Sequence, residues 1–283
     1  MVKNAGEGVL NAEYSKGNFG VLPTLTVATG AMVAHPIQGK KRRCRAHVGA
    51  GRMIPISDAP GPRRTFPVVT VLLIAINVLV FVFELGMGDQ QLERVITAAG
   101  VVPAEILSGR DLGPRAPLGI IYLTLLTSMF LHAGFLHIGG NMLYLWVFGD
   151  NVEDSMGHLR FLVFYLLCGI LAGLTHILLN AGSTEPSIGA SGAIAGVLGA
   201  YIVLFPHAKV RTLLFIGPFI TFPRVSAWIM IGIWFLLQLF SGLASLGPSS
   251  AQSSGVAFWA HVGGFVAGLV LVFVFRRRDP GLA

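Results

Sequence analysis

Charge is the first thing this sequence is short of. Charged residues make up 12% of its 283 positions, about half the share found in soluble domains, while 54% are hydrophobic. That balance excludes an ordinary soluble globule and points to several passages through a bilayer. Cysteine is just as scarce: Cys44 lies in a basic stretch and Cys168 inside an apolar run, so no disulfide framework is expected. No Cys/His grouping has zinc-ligand spacing and no glycine-rich phosphate loop occurs, so neither a metal nor a cofactor is called for. The net charge of +7 is confined to residues 1–64, which hold ten Lys/Arg and three acids; residues 65–283 hold ten of each. A basic excess in one tail fits the flank of a membrane segment and argues against nucleic acid as a partner.

What is present is a succession of long apolar runs. Phe66 to Leu85 is the first, preceded by Arg63 and Arg64 and closed by Glu84. Residues 86–117 contain Pro103, Pro114 and Pro117 and read as a loop with one short helix, Gln90 to Ala99. Leu118 to Val152 is too long for one helix and too short for two, and Gly134, Gly139 and Gly140 interrupt it. The division expected there is an apolar piece that dips into the membrane, Leu118 to Leu131, followed by a spanning helix from about Phe135. Irregular backbone at that depth is tolerated only under a cover of protein or water. Further spans are expected over Leu159 to Leu179, Ser191 to Phe205, Ser226 to Phe240 and Val256 to Phe275. Residues 206–225 carry Lys209, Arg211 and Arg224 around an apolar piece broken by Pro218, and read as an interfacial segment. The expected fold class is therefore all-α, a polytopic bundle of six transmembrane helices.

Six spans put both termini on one side, and the positive charges say which. With the termini in the cytoplasm, seventeen Lys/Arg lie inside: ten in the tail, Arg160, the three of residues 206–225, and Arg276 to Arg278. Only Arg94, Arg110 and Arg115 lie outside. Three regions follow: a basic cytoplasmic segment, 1–64, a helical domain, 65–275, and a basic tail, 276–283. Residues 1–52 carry no packable pattern, and Met53 is the expected start of the functional chain. A protein beginning there should fold and act as well as the whole.

Ionisable and polar groups inside such spans are costly, so each one needs a reason. Ser191 stands in Gly189-Ala190-Ser191-Gly192, where small neighbours leave its hydroxyl open. In most membrane proteins a serine so placed is a helix cap or a packing donor. Other polar groups at the same depth argue for more. His132, His137 and Asn141 are spaced His-x4-His-x3-Asn, and His137 and Asn141, four apart, share a helix face. His261 enters the last span in Ala260-His261-Val262-Gly263-Gly264. Gly192, Gly196 and Ala200 form one small-residue ridge and Gly264 and Gly268 another, which would let two helices close until His261 reaches Ser191. His176, without a motif around it, reads as packing. A serine with a histidine partner is the minimal nucleophile for acyl transfer. The backbone N–H of Ser191 and the side chains of His137 and Asn141 are candidate oxyanion donors. Glu84 and Glu185 read as solvated, which leaves a dyad without a carboxylate.

These three stretches, in this order and spacing, resemble the signatures of the rhomboid family of intramembrane serine proteases. The similarity runs over about residues 53–275 and includes Phe148-Gly149-Asp150-Asn151-Val152-Glu153-Asp154. The resemblance implies a six-helix fold, a Ser191–His261 dyad, and Asn141 and His137 at the oxyanion site. His132, Gly189, Gly192, Gly264 and Gly268 would support that site. It also implies cleavage of the transmembrane segments of other proteins near the outer face, at bonds flanked by small residues. The membrane expected is a bacterial or archaeal plasma membrane.

Two departures stand out. Leu123-Thr124 occupies the place of a Trp-Arg pair in the first outer loop of some members. Ala195 replaces an aromatic that in some members stacks on the catalytic histidine, so His261 must be positioned by other contacts. The outer part of the fifth span and the loop Ser245 to Gly255 are the candidate gate. A non-catalytic binder of membrane proteins would lack the serine or the histidine, and a solute or proton transporter would show buried acids and internal repeats. Topology is open to a direct test: with both native cysteines removed, a cysteine at Ser250 should react with a membrane-impermeant thiol reagent applied from the outside. Reaction from the cytoplasmic side alone would overturn the orientation.

Overall fold

A computed structural model describes residues 53–59, 65–110, 121–216, 219–246 and 256–277. The tail 1–52, most of the expected gate loop (247–255) and the last residues from Arg278 lie outside them. The chain opens with strand β1 (Met53–Ala59), then helices α1 (Val68–Leu85), α2 (Asp89–Ala99) and α3 (Pro103–Ser108). Short turns of 3₁₀ helix flank the four-residue α4 (Thr124–Thr127), and α5 (Phe135–Met156) and α6 (His158–Leu179) follow. After α7 (Ser191–Leu204) come strands β2 (Lys209–Ile216), β3 (Phe219–Thr221) and β4 (Arg224–Ser226), then α8 (Ala227–Ser245) and α9 (Phe258–Phe275).

Among the described residues, α1, α6, α8 and α9 are each long and apolar enough to cross a membrane. The segment Ile121–Phe130 and α5 make a fifth passage if the pair counts as one; they meet at a bend of 82°. That is the dip followed by a helix that the glycines predicted. The fourth expected span, α7, has 14 residues, about 21 Å at 1.5 Å per residue and shorter than a hydrocarbon core of about 30 Å. It is instead the centre of the bundle. Every residue from Gly192 to Tyr201 is buried, as expected of a helix that is apolar all round.

Small residues set how close α7 comes to α9. A Cβ on Gly264 would collide with the carbonyl oxygen of Gly192, and one on Gly268 with that of Gly196. The two ridges therefore meet backbone to backbone, with the carbonyls of one helix lying over the Cα atoms of the other.

Carboxylates organise the far end of α5. Glu153, fully buried, accepts the N–H groups of Val69 and Thr70 at 2.8 and 2.7 Å and the Thr70 hydroxyl at 2.7 Å. It thus satisfies the orphan donors that begin α1, with the helix dipole in its favour. His158 Nδ1 contacts the same carboxylate at 2.6 Å, and Asp154 accepts both the N–H and the hydroxyl of Thr65. Asn151 and Tyr201 both donate to Asp58 of β1. The Phe148–Asp154 stretch is therefore the clamp that joins α1, β1 and α7 to α5.

The structure corrects the all-α expectation for residues 206–225. Strand β2 pairs antiparallel with β1 on one edge, Met53 against Leu214 and Ala59 against Lys209. On the other edge it pairs with β3, Leu214 against Thr221, and with β4, Lys209 against Ser226. Lys209-Val210-Arg211-Thr212 is the overlooked signal: Val210 and Thr212 are buried and Arg211 is exposed, the period-two pattern of a strand. Met53–Ala59, left with the basic tail in the sequence reading, belongs to this sheet.

The close α7–α9 contact makes two glycines behave oppositely. Gly268→Leu should destabilise the purified protein by about 1–3 kcal/mol, because the overpacked pair must separate. Gly139→Ala meets nothing within 4 Å and should be neutral or stabilising by about 0.5–1 kcal/mol. Thermal melting of both variants in detergent checks the contrast.

Candidate active site

Ser191 is the first residue of α7 and His261 lies one turn inside α9. The backbone contact described above brings them together: Ser191 Oγ is 2.8 Å from His261 Nε2. His261 is 2% exposed, while Ser191 is only partly buried, so the imidazole is enclosed and the hydroxyl is open. The other ring nitrogen, Nδ1, lies 2.7 Å from Oε1 of Gln238 on α8. Trp234, one turn earlier on the same helix, places its ring 5.9 Å from the imidazole at an interplanar angle of 39°. The aromatic neighbour absent at Ala195 is thus supplied from α8.

Gly189 shapes the approach to the serine. Its φ of +122° is a conformation that side chains disfavour. A Cβ there would lie 2.6 Å from His137 Nε2 and 3.7 Å from Asn141 Nδ2. Both side chains, from one face of α5, therefore point at the space over Gly189, two residues before Ser191. His137 Nδ1 accepts the Ala133 N–H at 3.2 Å, which puts the ring proton on Nε2, facing that space. Asn141 Nδ2 is buried and has no partner among the described residues. Two N–H donors thus converge on the space over Gly189. The loop carrying Gly189 is held by its own N–H to the Ser128 carbonyl, 2.8 Å, and by reciprocal bonds between Val101 and Ser187.

His132 is 2% exposed and packs edge-on against His137, with ring centroids 5.0 Å apart. Its backbone N–H is shared between the two oxygens of Glu84, each at 3.3 Å. Glu84 was expected to be solvated; it is buried at 3% exposure, because the last turn of α1 lies against the turn at 131–134, whose N–H needs an acceptor. Glu185 is exposed, as expected. Neither carboxylate bonds to His261.

The segment around Leu123-Thr124 has an anchor of its own. Thr127 Oγ1 donates to the Ala99 carbonyl at 2.7 Å, tying the bent segment to the end of α2. His176, read as packing, lines a cavity of about 30 Å³ beside Ser191, together with Met129, Gly169, Gly173, Ser187 and Gly192. No group of three or more His, Cys, Asp or Glu among the described residues is arranged to hold a metal ion. Two site residues escaped the sequence reading, Gln238 and Trp234. A lone amide inside an apolar helix was the available signal for Gln238.

Comparison with known proteins gives a consistent picture. A profile of the rhomboid domain matches residues 121–278. Rhomboid protein 1, mitochondrial, of Saccharomyces cerevisiae is 36% identical over 134 residues, covering 45% of this chain and 39% of the yeast protein. Rhomboid protease GluP of Bacillus subtilis is 30% identical over 203 residues, 71% of this chain and 34% of its own length. Rhomboid-type serine protease 2 of Emericella nidulans is 32% identical over 157 residues, 54% of this chain and 27% of that protein. The chain thus spans well under half the length of these relatives. Because they include mitochondrial proteins, the match specifies an integral membrane protein and not which membrane holds it.

Proposed function

The chain belongs to the rhomboid family, and from that premise we propose that it is an intramembrane serine endopeptidase with Ser191 as nucleophile and His261 as general base. The observation that carries the reading is the 2.8 Å contact between Ser191 Oγ and His261 Nε2 at the start of a buried helix. In the first step Oγ attacks a substrate carbonyl while Nε2 takes the hydroxyl proton. Collapse of the tetrahedral intermediate breaks the peptide C–N bond, and the imidazolium returns that proton to the leaving amine. Water, deprotonated by the same nitrogen, then attacks the acyl–serine ester; the acid leaves and Oγ regains a proton.

The negative oxygen of each intermediate would sit over Gly189. Asn141 Nδ2 and His137 Nε2 face that space, and the N–H of Ser191 lies at the positive end of α7. An unpartnered buried donor is costly in the free protein, so Asn141 is better explained by an acceptor that arrives with the substrate. Substrates are the transmembrane segments of other proteins, presented from the bilayer. The cavity beside Ser191 is small, about 30 Å³, and lined by Gly169, Gly173 and Gly192, which supports cleavage next to small residues. In the membrane the arrangement is six spans with both termini inside: α1, the bent pair ending in α5, then α6, α7, α8 and α9. Short α7 would start below the outer surface, where water reaches the serine through the space its missing turns leave.

Three experiments test this reading. A fluorophosphonate should label the wild-type protein, and the label should vanish in Ser191→Ala. Ser191→Ala and His261→Ala should each abolish cleavage of a transmembrane substrate, and the double variant should be no worse, since the pair acts as a unit. Asn141→Ala should lower turnover roughly a hundredfold to a thousandfold. Its melting temperature should change little, because among the described residues Nδ2 has no hydrogen bond to lose. Unchanged turnover with a lowered melting temperature would make Asn141 a packing residue.

A further inference from the structure

We propose that Gln238 is the positioning residue of His261, fixing which ring nitrogen carries the proton and so arming the serine; the proposal rests on the reading of Ser191 and His261 as a catalytic dyad. The partners recorded on the His261 ring among the described residues are Ser191 and Gln238; Glu84 bonds the backbone of His132 and Glu185 is exposed. The place a carboxylate would take is filled by an amide. Gln238 Oε1 lies 2.7 Å from His261 Nδ1, and the two side chains are 3% and 2% exposed.

A neutral imidazole has one N–H donor and one acceptor. An amide oxygen can only accept, so with Oε1 facing Nδ1 the proton must sit on Nδ1. That leaves the lone pair on Nε2, the nitrogen 2.8 Å from Ser191 Oγ. In the other tautomer an N–H would point at the serine oxygen and no base would face its proton. When Nε2 takes the serine proton, the amide dipole stays aligned with the positive ring. It does so without the charge a buried carboxylate would bring into a bilayer. Trp234 limits rotation of the ring from the same helix face, one turn away. The other ionisable side chains close enough to act on His261 are His137 of α5 and His176 of α6. Neither replaces the bond to Nδ1.

The arrangement spreads the working unit over three helices: the nucleophile on α7, the base on α9 and the group that orients the base on α8. Any displacement of α8 that withdraws Gln238 removes the preference for the productive tautomer.

Three measurements test the proposal. In ¹⁵N-histidine NMR of the wild-type protein at a pH where His261 is neutral, Nδ1 should be the protonated nitrogen; an Nε2–H tautomer would overturn the assignment whatever the variants do. Gln238→Leu keeps similar bulk but offers no acceptor, and should lower kcat about tenfold to a hundredfold with KM unchanged. In that variant the NMR signals should shift toward a mixture of tautomers. Gln238→Glu, which presents an oxygen to Nδ1 in either protonation state, should restore the rate. An unchanged kcat in a Gln238→Leu protein that melts like wild type would overturn the role of Gln238 alone. It would leave the dyad intact if Ser191 still takes the fluorophosphonate. Absence of labelling in the wild type would overturn the proteolytic reading, and with it any catalytic part for Gln238. If Gln238→Leu fails to fold, the wild-type spectrum decides.

Discussion

The site depends on one steric fact, the absence of side chains where α7 crosses α9. The carbonyl oxygens of Gly192 and Gly196 lie over Gly264 and Gly268 so closely that no Cβ fits between them. Two helices whose separation is set by backbone contact hold their first turns at a fixed distance, and those turns carry Ser191 and His261. The 2.8 Å contact between the two side chains follows from that crossing. Without a hydrophobic driving force between helices in lipid, such contact is itself a main source of association. The same four glycines therefore set both the packing of the two helices and the distance from Ser191 to His261.

Helix α5 joins the two ends of the bundle. Its first turns carry His137 and Asn141, aimed at the space over Gly189, and its last turns carry Glu153 and Asp154, which hold the start of α1. Glu84, at the other end of α1, accepts the N–H of His132. Thus α1 is fastened at both ends by buried carboxylates, one on each helix taking part. The turn at 131–134, between the bent segment and α5, lies outside regular helix, and Glu84 supplies one acceptor there that helix geometry does not. An acid in a membrane helix is often taken for a proton path; here both are partners for backbone N–H groups.

Much of this was legible in the residues. Glycine interruptions marked the bend before α5, hydropathy located α1, α6, α8 and α9, and the small-residue ridges announced the contact of α7 with α9. The motif residues Ser191, His137, Asn141 and His261 stood out because polar groups in apolar runs are rare. What stayed hidden has physical reasons. The burial of Glu84 depends on where the turn at 131–134 folds back, a contact 48 residues distant in the chain. The pairing of β1 with β2 joins segments about 150 residues apart, and charges on alternate positions disguised the strand as a surface loop. Gln238 needed the rotation of α8 about its axis, which an apolar helix with little amphipathic contrast does not encode.

The glycine crossing also bears on how such a chain can change over generations. A position facing lipid, such as Leu236 or Val270, both half exposed or more, accepts any apolar residue of suitable length. Positions 264 and 268 accept none larger than hydrogen without moving His261 away from Ser191. Drift in this protein should therefore be strongly uneven along a single helix, nearly free on one face of α9 and frozen on the other. On the proteolytic reading, a lineage that no longer cleaved its substrates would be released from that restriction. A side chain appearing at either glycine would be an early mark of the loss, even while the serine and histidine remained in place.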